Sequence, residues 1–201
     1  MKMFFPLIFA TMLIGCIASH SAQAAVVLFD LKGVAGNGLL AANEPQPLPV
    51  ASTASGGEVG AGIFLDDVTN LLTVNVGWGS SQGFNDLTSA TNNSHIHGPT
   101  AANGGNGFTQ TAPVLFNLTR SSNLATGGTF TSAPILLSAA QVSDLMGGKF
   151  YINIHTTSSG GGELRGFLVA VPEPSSFALL GLVSIGVAGR YWRKRRAQKV
   201  A

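Results

Sequence analysis

The sequence contains one cysteine, Cys16, and few charged residues. Charged side chains make up 10% of the residues, against roughly 25% in an ordinary soluble chain. Lysine and glutamate, which favour helices, are therefore scarce, whereas glycine is abundant at 26 residues. This composition favours β-strands joined by open turns over a helical fold. The length of 201 residues fits one domain with terminal extensions.

The N-terminal residues 1–24 have the three parts of a secretory signal peptide. A short basic start containing Lys2 precedes a mostly apolar stretch over residues 4–18, and Ala-Gln-Ala at residues 22–24 is a small-residue cleavage site. We therefore expect export by the Sec machinery and cleavage after Ala24. A retained transmembrane helix is the alternative, but Pro6 and the modest length of the apolar stretch argue against it.

Cys16 lies inside this segment, in the sequence Leu-Ile-Gly-Cys over residues 13–16. That sequence resembles a bacterial lipoprotein box, in which the cysteine becomes a lipidated N-terminus. Because the apolar stretch continues past Cys16, cleavage after Ala24 is favoured instead. The mature protein then has no disulfide, no thiol nucleophile and no thiolate metal ligand.

The C-terminal residues 171–201 contain three different features in a fixed order. Val171-Pro172-Glu173-Pro174 ends the preceding strand, because proline lacks an amide hydrogen. Residues 175–192 are mostly apolar and would form a transmembrane helix of about 27 Å, close to the thickness of a bilayer core. Residues 193–201 form a basic tail that should remain cytoplasmic.

This order resembles the PEP-CTERM sorting signal of Gram-negative bacteria. The resemblance implies an inner-membrane-anchored precursor that an exosortase, a membrane-embedded protease, cuts near the Pro-Glu-Pro motif. The product would then reach the cell surface or the extracellular space. These signals accompany exopolysaccharide production, so exopolysaccharide or another matrix component is an implied partner. An ordinary C-terminal anchor would explain the helix and the charges but not the Pro-Glu-Pro motif.

The basic character of the chain belongs to the C-terminal tail. Six of the 11 basic side chains lie between residues 190 and 199. Residues 25–170 contain four basic and eight acidic side chains, which give a net charge of −4. The exported part is therefore mildly acidic, and this excludes the nucleic-acid binding that a sequence pI of about 8.9 would otherwise suggest.

Residues 25–170 are predicted to form a single β-domain. Leu72, Val74 and Val76 alternate with polar or small residues, which is typical of a strand with one buried face. Residues 66–70 predict a hairpin turn, and residues 41–58 are too rich in proline, serine and glycine for a central strand.

The predicted strands of this domain occur at short, regular intervals. They cover residues 26–29, 59–65, 71–78, 94–97, 113–118, 129–136, 150–155 and 163–169. One helix is predicted at residues 138–146, with Ser138 as its N-cap and two glycines after it. Seven or eight strands at this spacing predict an all-β fold, a single antiparallel β-sandwich or barrel.

Three segments of this domain together resemble the CHRD domain, first described in the extracellular protein chordin. They are Asn43-Glu44-Pro45 with the glycine pair after it, residues 94–99, and residues 151–156 with 162–167. The resemblance extends over residues 26–169, although Ser-Ser-Gly-Gly at 158–161 replaces an expected proline-containing turn. It implies an architecture rather than an activity. The family-motif positions are His95, His97, Gly98, Asn153, His155, Thr156, Gly162, Glu163, Arg165 and Gly166.

The three histidines of the mature chain, His95, His97 and His155, all lie in these segments. His95 and His97 project from the same face of a strand, so they could bind one ion with His155 as a third nitrogen ligand. The set faintly resembles that of copper–zinc superoxide dismutase, with Arg165 as the counterpart of a functional arginine. The alternative is a structural role, in which a half-buried histidine donates to a carbonyl and accepts from an amide and so holds adjacent loops in place. Glu163 and Arg165 could then pair with each other or with His155.

No catalytic residue is predicted. Residues 79–83, Gly-Ser-Ser-Gln-Gly, match the G-x-S-x-G elbow of hydrolases, but that elbow needs a following helix, and residues 85–93 have no amphipathic pattern. The sequence therefore predicts an exported, exosortase-processed cell-surface or matrix protein with a non-enzymatic binding or adhesion domain and no cofactor. A histidine-liganded metal-binding protein is the alternative.

Overall fold

The structure is a computed structural model that describes residues 26–45, 47–102 and 107–172. The predicted signal peptide with Ala24, most of the sorting signal including Glu173 and Pro174, and the predicted transmembrane helix lie outside these residues. Within the described ranges, no helix is both long enough and apolar enough to cross a membrane.

The described residues form an antiparallel all-β fold with one short helix, as the sequence predicts. Twelve strands are present in these residues rather than seven or eight. The helix α1 spans Ala139–Met146, and Ser138 caps it through a reciprocal pair of hydrogen bonds with Gln141. The strands are β1 Val26–Gly33, β2 Gly36–Asn37, β3 Leu39–Leu40, β4 Ser55–Asp66, β5 Leu71–Trp78, β6 Thr91–His97, β7 Val114–Asn117, β8 Thr119–Arg120, β9 Gly128–Thr131, β10 Ile135–Leu136, β11 Tyr151–Thr156 and β12 Leu164–Ala170.

Short strands account for the higher number. The predicted strand over residues 129–136 is divided at Pro134, which has no amide to donate to a ladder, so β9 and β10 pair with different parts of β5. The two-residue strands β2 and β3 are too short to give a periodic pattern, and they pair with longer neighbours.

The exclusion of residues 41–58 from a central strand is wrong at the end of that segment. Strand β4 begins at Ser55 and lies between β1 and β5. A Cβ atom on Gly56 would lie 2.4 Å from the carbonyl oxygen of Gly77 on β5. The absence of a side chain at Gly56 is therefore what allows the two strands to approach, and the same glycine lowers the strand signal in the sequence.

The sheet has the strand order β7-β6-β11-β12-β1-β4-β5-β9-β8. Its two ends are joined by one continuous segment, because β7 and β8 are separated by Leu118 alone. The amide of Leu118 donates to the carbonyl of Ser94 on β6 over 3.0 Å, and Thr119 pairs with Thr131 on β9. The sheet thus closes on itself in the manner of a barrel.

One face of this sheet forms the hydrophobic core. Leu72, Val74 and Val76 of β5 are fully buried, which confirms the alternation seen in the sequence. Trp78 and Phe130 pack in the same core with ring centroids 4.8 Å apart. Strands β6, β11 and β12 contribute Ile96, Ile152, Ile154, Leu164 and Leu168 to it. The other face of these three strands carries the polar residues discussed next.

Candidate metal centre and adjoining cavity

The adjacent strands β6, β11 and β12 place most of the family-motif side chains on one face. In the antiparallel ladders, His97 lies opposite Tyr151, and Asn153 lies between His95 and Arg165. Directly paired residues share a face of a sheet, so these side chains project together, away from the isoleucines of the core. Residues far apart in the sequence therefore meet because three strands are in register.

The structure brings His95, His97 and His155 together. Each histidine offers one ring nitrogen as a potential ligand, and these three nitrogens lie within 4.8 Å of one another. Nδ1 of His95 is 3.2 Å from Nε2 of His155. The three nitrogens are thus near enough to bind a common ion after small side-chain rotations, since metal–nitrogen bonds of about 2.0–2.1 Å place ligands a little over 3 Å apart.

Hydrogen bonds fix which nitrogen carries the hydrogen in two of these rings. Nδ1 of His97 is 2.9 Å from the carbonyl oxygen of Ala112, and Nδ1 of His155 is 2.8 Å from that of Gly160. A carbonyl only accepts, so each Nδ1 carries the hydrogen and each Nε2 presents a lone pair in the neutral ring. Metal-ligating histidines are usually held by this kind of contact.

Nε2 of His97 has no hydrogen-bond partner among the described residues, although it is buried. Burial lowers the pKa of His97 despite its hydrogen bond to Ala112, and burial together with the neighbouring His155 lowers the pKa of His95. Both rings are therefore kept neutral near pH 7, which is the state that binds metals.

Tyr151 positions His97 and its supporting carbonyl. The two rings are stacked, with an interplanar angle of 3° and centroids 4.7 Å apart. The Tyr151 hydroxyl donates to the carbonyl of Ala112, the same oxygen that accepts from His97. The orientation of the His97 ring is thus set by two independent contacts. Sequence reasoning gave Tyr151 no role beyond its strand.

Glu163 does not belong to the histidine cluster, and its predicted pairing with Arg165 or His155 is wrong. The fully buried carboxylate instead accepts hydrogen bonds from the hydroxyls of Ser52, Thr88 and Thr156 and from the amide of Thr88, over 2.7–2.8 Å. Glu163 precedes β12 and faces the loops around it. Its carboxylate joins the loops that carry Ser52 and Thr88 to the end of β11 at Thr156.

The glycines of the motif provide space rather than chemistry. Gly162 has a φ of +124°, and a Cβ atom there would lie 2.1 Å from Nδ2 of Asn153. A Cβ atom on Gly166 would lie 2.8 Å from the carbonyl oxygen of Gly38. Gly98 directly follows β6. Only glycine lets these backbones approach without displacing their neighbours.

A cavity of about 230 Å³ adjoins the cluster and shares His97 and Tyr151 with it. Arg165 lies in its wall, is only 1% exposed and has its guanidinium carbon 3.7 Å from the centroid of the Tyr151 ring. Nη2 of Arg165 donates to the carbonyl of Gln110. The remaining lining residues are Glu44, Pro45, Pro47, Leu48, Pro49, Thr111, Asn153, Gly161 and Gly162.

Glu44 is the site residue that sequence reasoning missed, although it lies in the first resemblance segment. Its carboxylate accepts a hydrogen bond from Nδ2 of Asn153, 109 residues away in the sequence. Burial raises the pKa of Glu44 to about 7, and the Arg165 guanidinium only partly opposes this rise. Apart from that segment, the signal in the sequence was the prolines after Glu44, which keep the following chain extended over the sheet and so bury the carboxyl.

Replacing Glu44 by glutamine is expected to change how stability depends on pH. A carboxyl group with a raised pKa in the folded state binds protons more tightly than in the unfolded state, so stability falls as pH rises from about 4.5 to 7. Glu44→Gln removes this loss. The free energy of unfolding of the variant minus that of wild type should therefore be larger at pH 8 than at pH 5, by on the order of 1–3 kcal/mol. Urea unfolding at the two pH values measures the difference. Parallel pH profiles for both proteins would contradict the assignment.

Residues 79–83 match the G-x-S-x-G pattern of hydrolases but do not have the geometry of a nucleophile elbow. Strand β5 precedes them, but a three-residue 3-10 turn at Ser80–Gln82 follows instead of a helix. The turn is closed by hydrogen bonds to Thr126 and Asp86. No strand-to-helix elbow forms at this serine.

Comparison with protein families identifies two regions of the chain. The CHRD domain model matches residues 38–168, more than half of the chain and the whole of the site. The chain belongs to the CHRD domain family. A second model, the PEP-CTERM protein-sorting motif, matches residues 170–196. No curated protein and no solved structure matches the chain.

The sorting motif indicates how the protein is exported and processed. It marks an exported protein of a Gram-negative bacterium, made as a membrane-anchored precursor and processed by an exosortase. Pro172, the first residue of the predicted motif, lies two residues after β12. The sorting motif therefore follows the last strand of the CHRD domain directly.

Proposed function

We propose that this CHRD domain is a metal-binding module at the bacterial surface, which holds one divalent ion through His95, His97 and His155. The proposal depends above all on Nε2 of His97, which is buried without a hydrogen-bond partner in the described residues. An unsatisfied buried acceptor costs about 1–3 kcal/mol, and coordination to a metal would remove that cost.

The ligand set favours zinc or copper over calcium or magnesium. Imidazole nitrogens suit Zn²⁺ and Cu²⁺, whereas Ca²⁺ and Mg²⁺ prefer oxygen ligands. The cluster in the described residues has three members, which leaves one coordination position of a tetrahedral ion for water or another small ligand. The Ala112 and Gly160 carbonyls would orient two of the three rings.

Binding rather than catalysis is proposed because the serine motif at residues 79–83 lacks the geometry of a hydrolase. The domain boundaries proposed from the sequence complete this account. They are a signal peptide at residues 1–24, the CHRD domain at 25–170 and the sorting signal at 171–201.

Metal titration of the purified protein tests the proposal. After treatment with a chelator and its removal, the protein should bind one equivalent of Zn²⁺ or Cu²⁺ in calorimetry, and elemental analysis should find the same stoichiometry. Binding should also raise the melting temperature, because the ion binds the folded state. A folded protein that takes up no ion at micromolar concentrations would refute the metal site.

A second candidate, compatible with the first, is adhesion or binding to a matrix polymer such as exopolysaccharide. It is supported by the sorting motif, which begins two residues after the CHRD match ends and so directs the export of this domain. Deleting the gene in a matrix-forming strain should alter cell aggregation or matrix composition. An unchanged matrix from which the protein is absent would count against this role.

A further inference from the structure

We propose that the cavity beside the histidine cluster binds a sugar acid, with the carboxylate of the ligand on Arg165 and its hydroxyls on Glu44 and Asn153. This site adjoins the metal centre, with which it shares the His97 side chain, and it requires no bound ion. It assigns a ligand class to a cavity that the metal proposal leaves unused.

Arg165 is the anchor because its charge is buried and under-partnered. The side chain is 1% exposed and its guanidinium lies over the rings of Tyr151 and Phe167. Within residues 26–45, 47–102 and 107–172 its one hydrogen-bond acceptor is the Gln110 carbonyl, and Nε has none. Among the described residues, no carboxylate oxygen lies within 4.0 Å of a guanidinium nitrogen of Arg165, the distance that defines an ion pair. A guanidinium has five N–H donors in a planar fork that matches a carboxylate. Glu44 acts on the charge of Arg165 only from beyond ion-pair distance, so no carboxylate in the described residues pairs with this fork.

Asn153 and Glu44 offer acceptors to hydroxyl groups. Asn153 is 3% exposed, and its Oδ1 accepts no hydrogen bond from any residue that the structure describes, although its Nδ2 donates to Glu44. The Glu44 carboxyl also disfavours an anion with more than one charge, because its own negative charge would repel it. One carboxylate together with several hydroxyls is the combination that satisfies all three side chains.

The size and the walls of the cavity fit a single sugar ring. Its volume of about 230 Å³ is below the roughly 300–1,000 Å³ of sites for drug-sized ligands. Pro45, Pro47, Leu48 and Pro49 form an apolar wall, against which the C–H groups of a ring can pack. Inorganic phosphate would leave this wall in contact with water, so the wall favours a larger organic anion.

Ligand titration by calorimetry or NMR tests the proposal, with chelator present so that the metal centre is empty. D-galacturonate should bind, and the matched neutral sugar D-galactose should bind at least about tenfold more weakly, because it lacks the charge-assisted contact to Arg165. Equal binding of the two sugars, no binding of either, or phosphate binding as tight as galacturonate would each overturn the proposal.

Two variants locate the site. Arg165→Lys keeps the charge but loses the fork, and should weaken galacturonate binding by about tenfold, whereas the exposed Arg120→Lys on β8 should not change it. Because Arg165→Lys could fold poorly, Glu44→Gln provides the second test. At pH 8, where Glu44 is ionised, this variant removes a negative charge from the cavity but keeps one oxygen that can accept from a hydroxyl, so the ratio of galacturonate to galactose affinity should rise. A ratio that falls in Glu44→Gln would overturn the assigned geometry.

Discussion

Glu163→Ala is expected to remove a large part of the stability of the domain. The substitution removes a fully buried carboxylate that accepts four hydrogen bonds, from Ser52, Thr156 and two donors of Thr88. Hydrogen bonds to a charged group contribute about 1.5–3 kcal/mol each, and donors left without an acceptor in the interior add a further cost. The loss should exceed about 4 kcal/mol, which is a large part of the 5–15 kcal/mol that stabilises a typical domain.

Urea unfolding followed by the fluorescence of buried Trp78 measures this loss. Asp30→Ala is the matched control, because Asp30 is an exposed carboxylate on β1 with one weak contact to Lys32 at 3.9 Å. That variant should stay within about 0.5 kcal/mol of wild type. If Glu163→Ala unfolds at the same urea concentration as the control, the hydrogen-bond network does not stabilise the fold.

His155→Ala and His95→Ala are each expected to abolish tight metal binding. Each substitution removes one of the three nitrogens that lie within 4.8 Å of one another, so two ligands remain. Loss of a contact that merely orients a ligand costs about 10- to 100-fold in affinity, and loss of the ligand itself should cost more than that. The rise in melting temperature on adding Zn²⁺ should disappear in the same variants.

Asn93→Ala is the control for this series. Asn93 is exposed, lies opposite His155 in the ladder of β6 and β11, and contributes no atom to the cluster. Its metal affinity should match that of wild type. His97→Ala is less informative, because the stacking on Tyr151 is lost with the ligand. Unchanged affinity in both His95→Ala and His155→Ala would show that the metal binds elsewhere.

The parts of the fold that depend on local patterns could be predicted from the sequence. The hairpin between β4 and β5, the buried face of β5 and the capped helix α1 each depend on residues close together in the chain. The shared face of His95 and His97 follows from strand geometry alone. The position of His155 beside them required the register of β6 against β11, which no local pattern reveals.

The remaining features depend on contacts between distant segments. Glu44 acquires its raised pKa because the proline-rich segment lies over β11, which composition could not show. The predicted pairing of Glu163 with Arg165 failed for a related reason. Spacing in the sequence placed both side chains on one face, but Glu163 satisfies loop hydroxyls, whereas Arg165 lies against Tyr151.

X-ray absorption at the zinc edge, on protein loaded with one equivalent of Zn²⁺, tests the metal centre most directly. The account predicts an inner shell that contains three imidazole nitrogens at roughly 2.0–2.1 Å, with a light fourth ligand from solvent. The same spectrum from His155→Ala should lose imidazole scattering. A shell made only of oxygen, or imidazole scattering that is unchanged in His155→Ala, would contradict the proposed site.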